Sequence, residues 1–256
     1  MQSGDASPLV RVRCTLTLDT NEAVEARDLA LLDGVERERL RRIRAAGDRR
    51  DYVAAHALLR RTLTAAVPAT APEEWRFERT DRGKPYLPAA LAGDPPLCFS
   101  LSHTGGVVVC AVSRGPELGV DAERAWRTGD VRLLLPDVCS VAEQAHVTAA
   151  PPSARAARFL DLWTLKEAYL KAHGTGITAA LPEISFDLRA PGAITASLPE
   201  RTPRDWWLAL IRPSEDSRIA LAVATATTAP PLLDAAMVAA DGRSTRLVPV
   251  RRSRER

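Results

Sequence analysis

The two halves of the chain rhyme, and that repeat limits the fold more than any other feature. Each half carries a long helical pattern and then two apolar strand patterns. These fall at residues 97–101 and 107–112 in the first half, and at 206–212 and 219–225 in the second. A repeat of roughly one hundred residues within 256 suits two lobes in one chain. The expected fold class is α+β: two similar α/β lobes related by a pseudo-twofold, with the active site in the cleft between them. Clefts between lobes are favoured ligand positions. The expected division is an N-terminal lobe at 1–115, a C-terminal lobe at 116–228 and a flexible basic tail at 229–256.

Alternation of apolar and polar residues makes 9–18 a strand. Helices are expected at 33–46 and 48–67, separated by Gly47. The second carries Tyr52, Ala55, Leu58, Leu59 and Leu63 at helical spacing. A further strand is expected at 75–79. Residues 102–106 (Ser-His-Thr-Gly-Gly) read as a polar, Gly-rich turn, and 114–117 as a linker. A short strand at 118–123 precedes a helix at 153–172, which stops at His173-Gly174. Strands at 184–188 and 194–198 come before the last apolar pair.

Hydrophobic residues make up 46% and charged residues 26%, the balance of an ordinary globular chain rather than a disordered one. No apolar run approaches the ~18 residues of a membrane span. The first residues lack the apolar core of a secretory signal, so the expected compartment is the cytoplasm. The net charge of +3 is uneven. The last fourteen residues hold six Arg and one Glu, which leaves the rest slightly negative and argues against nucleic acid. Residues 36–61 hold nine Arg and four acids. Such a patch suits phosphates or an acidic partner, or is a solvated helix face. Cys14, Cys98, Cys110 and Cys139 are far apart and the four His are scattered, so neither a disulfide framework nor a zinc site is expected.

Of 35 basic residues only Lys84, Lys166 and Lys171 are lysines. In a chain that fills its surface with Arg, a Lys marks a place where a compact ammonium works and a planar fork does not. All three lie in motifs. Gly83-Lys84-Pro85 presents one Lys on a rigid turn, without the Walker A pattern. Asp121-Ala122-Glu123 sits in a strand, where residues two apart share a face and can reach one cation; the alternative is two charges on a wet face. On the helix, Trp163, Glu167 and Lys171 span about 80° of one face. They form an aromatic–acid–base stripe, or an ordinary ion pair beside a core Trp. Ser102 and His103 are neighbours on an extended segment and project oppositely, which disfavours a Ser–His hydrolase. Hydroxyl, imidazole and turn amides around an anion is the better reading of that segment.

In order, GKP, SLSHTGG, LGVDAE and FLDLWTLKEAYLKAHGTGI resemble the 4′-phosphopantetheinyl transferases of the larger, surfactin-synthetase-activating (Sfp) type, over about residues 37–225. Half-length members of the wider family trimerise; both halves lie in one chain here, which implies a monomer. The resemblance implies that coenzyme A binds with Mg2+ across the cleft. A carrier-protein serine attacks the β-phosphate, phosphopantetheine moves to the serine, and 3′,5′-ADP leaves. It also implies roles. Asp121, Glu123 and Glu167 match the metal ligands, and Glu167 the base. Lys171 matches the lysine on the pyrophosphate. Lys84, Ser102 and His103 match binders of the nucleotide and its 3′-phosphate. Arg60, with Arg61 as its rival, matches a coenzyme A contact, and Arg44 and Arg49 add 3′-phosphate contacts. The implied partner is an acyl or peptidyl carrier protein with an acidic recognition helix; no nucleic acid or membrane is implied. Two other readings stand beside it: a catalytically silent coenzyme A- or carrier-binding protein of the same fold, and a Ser102 hydrolase.

Overall fold

The computed structural model describes residues 7–18, 20–125, 131–174, 180–199, 205–225 and 229–253. The first lobe runs β1 (Leu9–Leu16), α1 (Glu22–Leu31), α2 (Gly34–Arg42), α3 (Ala46–Ala66), β2 (Glu78–Arg79), β3 (Pro85–Tyr86), α4 (Ala89–Ala92), β4 (Leu97–Thr104) and β5 (Val107–Arg114). The second runs β6 (Leu118–Arg124), α5 (Leu135–Val138), α6 (Val141–Thr148), α7 (Pro152–His173), β7 (Ser185–Asp187), β8 (Ala193–Ser197), β9 (Asp205–Ile211) and β10 (Ser217–Thr225). Three more strands follow: β11 (Leu232–Val238), β12 (Ser244–Arg246) and β13 (Arg251–Ser253).

Two sheets carry the architecture, in the orders β12-β11-β1-β5-β4 and β6-β10-β9-β13-β8-β7. Within them the same unit occurs twice. In β1-α3-β4-β5 and in β6-α7-β9-β10, the opening strand pairs with the last strand, which pairs with the middle one. This is the repeat seen in the sequence, and the lobes are similar.

The sheets pack face to face. Val10, Val12, Val109 and Ala111 of one share a core with Val120, Trp207, Ala209, Leu221 and Val223 of the other. Alternate residues turn outward. Val108, Cys110 and Val112 meet Ala55, Leu59 and Leu63 of α3, while Leu208, Leu210, Ala220 and Ala222 meet Leu162, Leu165 and Tyr169 of α7. The result is four layers: helix, sheet, sheet, helix. A strand buried on both faces needs a continuous apolar run, and β5 has one in Val107–Arg114, where only Arg114 is exposed. Each large aliphatic side chain buried here stabilises the fold by about 1.5–3 kcal/mol.

Several expectations need correction. Gly47 does not separate two helices; it lies in the first turn of α3, and the break falls at Ile43, whose backbone is extended. Ser102, His103 and Thr104 belong to β4, so the turn is only Gly105-Gly106, with φ of 51° and 88°. Helices α1 and α6 come in addition to the expected elements. Both are short, and each starts with a side-chain cap, from Asn21 and Ser140.

The largest correction concerns the expected flexible tail. β11 pairs in parallel with β1, β12 pairs with β11, and β13 inserts between β9 and β8. β1 and β9 each need a neighbour for their backbone groups, and this segment supplies it. Its basic residues are also used structurally: Arg251 Nη1 donates to Ala190 O at 2.8 Å. Residues 226–228 and 254–256 lie outside the described residues.

Candidate active site

β6 is a two-faced strand. Leu118, Val120 and Ala122 enter the core between the sheets. By alternation Gly119, Asp121 and Glu123 face α7. Gly119 lets the helix approach the strand at backbone distance: a Cβ there would lie 2.0 Å from Ala168 O and 2.3 Å from Ala172 N. That approach brings two carboxylates of the strand against Trp163, Glu167 and Lys171 of the helix. β4 runs along the other side, where the Val120 N–H donates to Ser100 Oγ at 3.0 Å. Strands β4 and β6 are outermost in their sheets, so the site forms where the two lobes meet.

Asp121 is buried. Its Oδ1 accepts from Ser102 Oγ at 2.9 Å and from Lys171 Nζ at 2.5 Å, and the ammonium also donates to Ser102 Oγ at 2.8 Å. Asp121 Oδ2 and Glu167 Oε1 are both buried with no hydrogen-bond partner. Glu123 Oε1 accepts from Trp163 Nε1 at 3.0 Å. Burial pushes the Glu167 carboxyl up to about 7; the charges of Asp121 and Glu123 push the same way, against Lys171. The strand pair and the helical stripe thus form one electrostatic unit. Among the described residues, no three His, Cys, Asp or Glu stand as a ready-made metal cage.

Ser102 is buried, while His103, its neighbour on β4, is exposed. They point oppositely, as expected, and Ser102 is engaged with Asp121 and Lys171. Partial burial of the His103 ring lowers its pKa; the charges of His56 and Lys171 act in the same direction, against Asp51 and Asp48. The Gly106 N–H of the turn is taken by Asp51, donating to its Oδ2 at 2.9 Å. Lys84 reaches across the lobes and donates to Ala172 O at 2.9 Å, near the C-terminal end of α7. Beyond it Gly174 takes the left-handed conformation, with φ of 70°. Residues 175–177 of the GTGI motif lie outside the described residues.

The arginines depart most from expectation. Arg60 is fully buried. Its guanidinium donates to Trp75 O at 2.8 Å, Pro72 O at 3.1 Å and Glu36 Oε2 at 2.7 Å, and lies over the Phe77 ring. Fully enclosed in the first lobe, with only its Nε lacking a partner, it is a structural cation. Arg61, its rival, pairs with Asp28 at 2.6 Å. It lines a cavity of about 330 Å3 with Arg13 and Arg27, and none of Asp121, Glu123, Glu167 or Lys171 lines that space. Arg49 donates to Leu40 O at 2.8 Å, near the end of α2, and Arg44 is exposed.

Two contacts escaped the sequence reading. Lys166 is fully buried and pairs with Glu143 at 2.7 Å, so one lysine of the motif is structural. The signal was Ser140-x-x-Glu143, a capping box that marks α6 and fixes Glu143. Trp163 tethers Glu123, which its place on the Glu167 stripe could have suggested.

Residues 117–224 match the model of the 4'-phosphopantetheinyl transferase superfamily, and 22–115 match that of the 4'-phosphopantetheinyl transferase N-terminal region. Over 212 residues the chain is 32% identical to the 4'-phosphopantetheinyl transferase HetI of Nostoc sp., covering 82% of this chain and 85% of that protein. The chain belongs to the 4'-phosphopantetheinyl transferase superfamily. The transferase is also 30% identical to a Bacillus subtilis 4'-phosphopantetheinyl transferase over 176 residues, covering 69% of this chain and 75% of that one. A solved holo-(acyl-carrier-protein) synthase from Bacillus anthracis, in complex with CoA (3',5'-ADP), is 22% identical, with a TM-score of 0.37 over 43% of the transferase and 96% of that chain.

Proposed function

We propose that the transferase moves 4′-phosphopantetheine from coenzyme A to a serine of an acyl or peptidyl carrier protein and releases 3′,5′-ADP, with Mg2+ held by Asp121, Glu123 and Glu167. The observation that carries this reading is the pair of buried, unpartnered oxygens, Asp121 Oδ2 and Glu167 Oε1, beside the Lys171 ammonium. Mg2+ takes hard oxygens, typically one or two carboxylates with phosphate and water. Two such oxygens without a protein partner fit it, and substrate phosphate completes a set that protein alone does not. Bound there, the ion would neutralise charge on the diphosphate.

The remaining work falls to side chains. Glu167 projects from α7 beside Asp121 and Lys171 and accepts the serine proton. The serine oxygen bonds to the β-phosphorus, the bond from that phosphorus to the bridging oxygen breaks, and 3′,5′-ADP leaves with that oxygen. Lys171 supplies positive charge to the phosphates, since phosphoryl transfer is mostly positioning and charge stabilisation. Lys84, Ser102 and His103 line the coenzyme A side, with Arg44 and Arg49 towards its 3′-phosphate. Arg60 has no part in this reading.

The reading extends to a carrier with an acidic recognition helix, and to a monomer, because both lobes contribute to one site. The four cysteines are free, which suits a reducing cytoplasm, and no described helix is long and apolar enough to cross a membrane. Intact-mass spectrometry of apo carriers after incubation with coenzyme A, Mg2+ and the transferase tests it. A gain of one phosphopantetheine is expected with wild type and none with Asp121→Ala. Coenzyme A binding without any mass gain across fatty-acid, polyketide and peptide carriers would reduce the protein to a silent binder.

A further inference from the structure

Asp121 Oδ1 already has two donors. Ser102 Oγ lies 2.9 Å away and Lys171 Nζ 2.5 Å away, and the same ammonium is 2.8 Å from Ser102 Oγ. The three side chains close a triangle drawn from both lobes: Ser102 on β4, Asp121 on β6, Lys171 on α7. Its members differ in freedom. Asp121 is 5% exposed, whereas the Lys171 side chain, a flexible stem of four methylenes, is 32% exposed. It can leave Asp121 without disturbing the core. A divalent cation on Asp121 Oδ2 would stand beside the Lys171 ammonium on Oδ1, so the two like charges oppose each other across one carboxylate. A diphosphate resolves the conflict, because it offers the ammonium another anionic partner and leaves Asp121 to the metal.

We propose that Lys171 is a latch that couples the two ligands: its ammonium holds Asp121, steadied by Ser102, until the diphosphate of coenzyme A draws it away. This rests on the reading above that a cation sits on Asp121. Linkage makes the effect reciprocal, so the metal tightens coenzyme A by the factor by which coenzyme A tightens the metal. A lysine suits the part, since a compact ammonium on four methylenes can exchange partners where a planar guanidinium would lock onto the carboxylate bidentately.

The test is Mn2+ binding to the full chain, followed by the loss of free Mn2+ in electron paramagnetic resonance, with and without coenzyme A. For wild type, coenzyme A should tighten Mn2+ by about 5- to 150-fold, the usual range of such coupling. Lys171→Met should bind Mn2+ more tightly than wild type without coenzyme A, and its coupling should shrink. Ser102→Ala keeps the charge but loosens the hold, so it should move the same way by less. This separates a latch from simple charge repulsion. Lys171→Gln repeats the measurement should the methionine variant fold poorly by circular dichroism. The latch is overturned if Mn2+ binds all the proteins alike without coenzyme A, with the same coupling. If Mn2+ binds none of them even at saturating coenzyme A, the metal reading itself fails, and the latch with it.

Discussion

Lys166 meets four oxygens: the carboxylate of Glu143 at 2.7 Å, Val138 O and Leu181 O at 2.8 Å each, and Ile184 O. Their arrangement around a point suits an ammonium and not a planar fork. Lys166→Met strands Glu143 in the core, and breaking a buried pair from one side costs about 3–5 kcal/mol. Lys166→Arg should also lose stability although charge is kept. Denaturant midpoints for both variants check this. Glu36 gives the pH dependence. Burial raises its carboxyl, but the hydrogen bond and charge of His56, the Asp33 amide and the charge of Arg60 outweigh burial and hold it at about 2. A depressed folded pKa adds stability above the unfolded value, and that stability is lost as pH falls through about 4 towards 2. At pH 5, Glu36→Gln should cost on the order of 3 kcal/mol, at about 1.4 kcal/mol for each tenfold change in proton affinity. The difference should close near pH 2, read by urea unfolding at each pH.

The β6–α7 contact is the element on which the chemistry turns, and Gly119 sets its distance. In Gly119→Ala the new Cβ meets backbone, at Ala168 O and Ala172 N, so the whole helix must shift rather than one rotamer. Overpacking of this kind costs about 1–3 kcal/mol. Transfer should fall further, because displacing Glu167 and Lys171 by about 1 Å can cost ~100-fold. A variant that folds by circular dichroism yet loses kcat/KM at least tenfold would show that spacing and not stability is the defect. This contact was half legible in the sequence. The i, i+4, i+8 stripe of Trp163, Glu167 and Lys171 and the two-residue spacing of Asp121 and Glu123 follow from helix and strand periods. Which strand the helix meets is set by tertiary packing, beyond the reach of any local period. Arg60 and Arg61 show the same limit: one residue is about 100° on a helix, so a loose register cannot tell the buried cation from the exposed one. Helices α1 and α6 span only ten and eight residues, which leaves a helical period little room to show, so their side-chain caps are the clearer signal.

At the scale of the whole molecule, the segment from β11 to β13 is a strap. It extends the first lobe's sheet beside β1, then crosses and inserts beside β9 in the second. The site lies where β4 and β6 meet, and the strap ties the lobes at other strands. Arg-rich composition suggested a solvated tail because charge is a local property, while the edges of β1 and β9 that needed a partner were not visible until the sheets formed. The two ideas separate in a truncation after Gly242, which removes β12 and β13. A loose basic tail would act only through long-range attraction, leaving coenzyme A affinity intact and affecting carriers only at low salt. A strap holds structure instead. β9 and β8 lose the strand between them, with Val250 N–H to Leu210 O at 2.8 Å and Leu208 N–H to Ser253 Oγ at 2.9 Å. The truncated protein should melt several degrees lower, at about 4–8 °C per kcal/mol for a lobe-sized domain. It should also bind coenzyme A more weakly, because the ligand site draws on both lobes and their spacing is no longer fixed. Calorimetric titration with coenzyme A at low and high salt decides it. The strap requires a loss that persists at high salt, and a loss that salt erases would return the segment to the role of a charged tail.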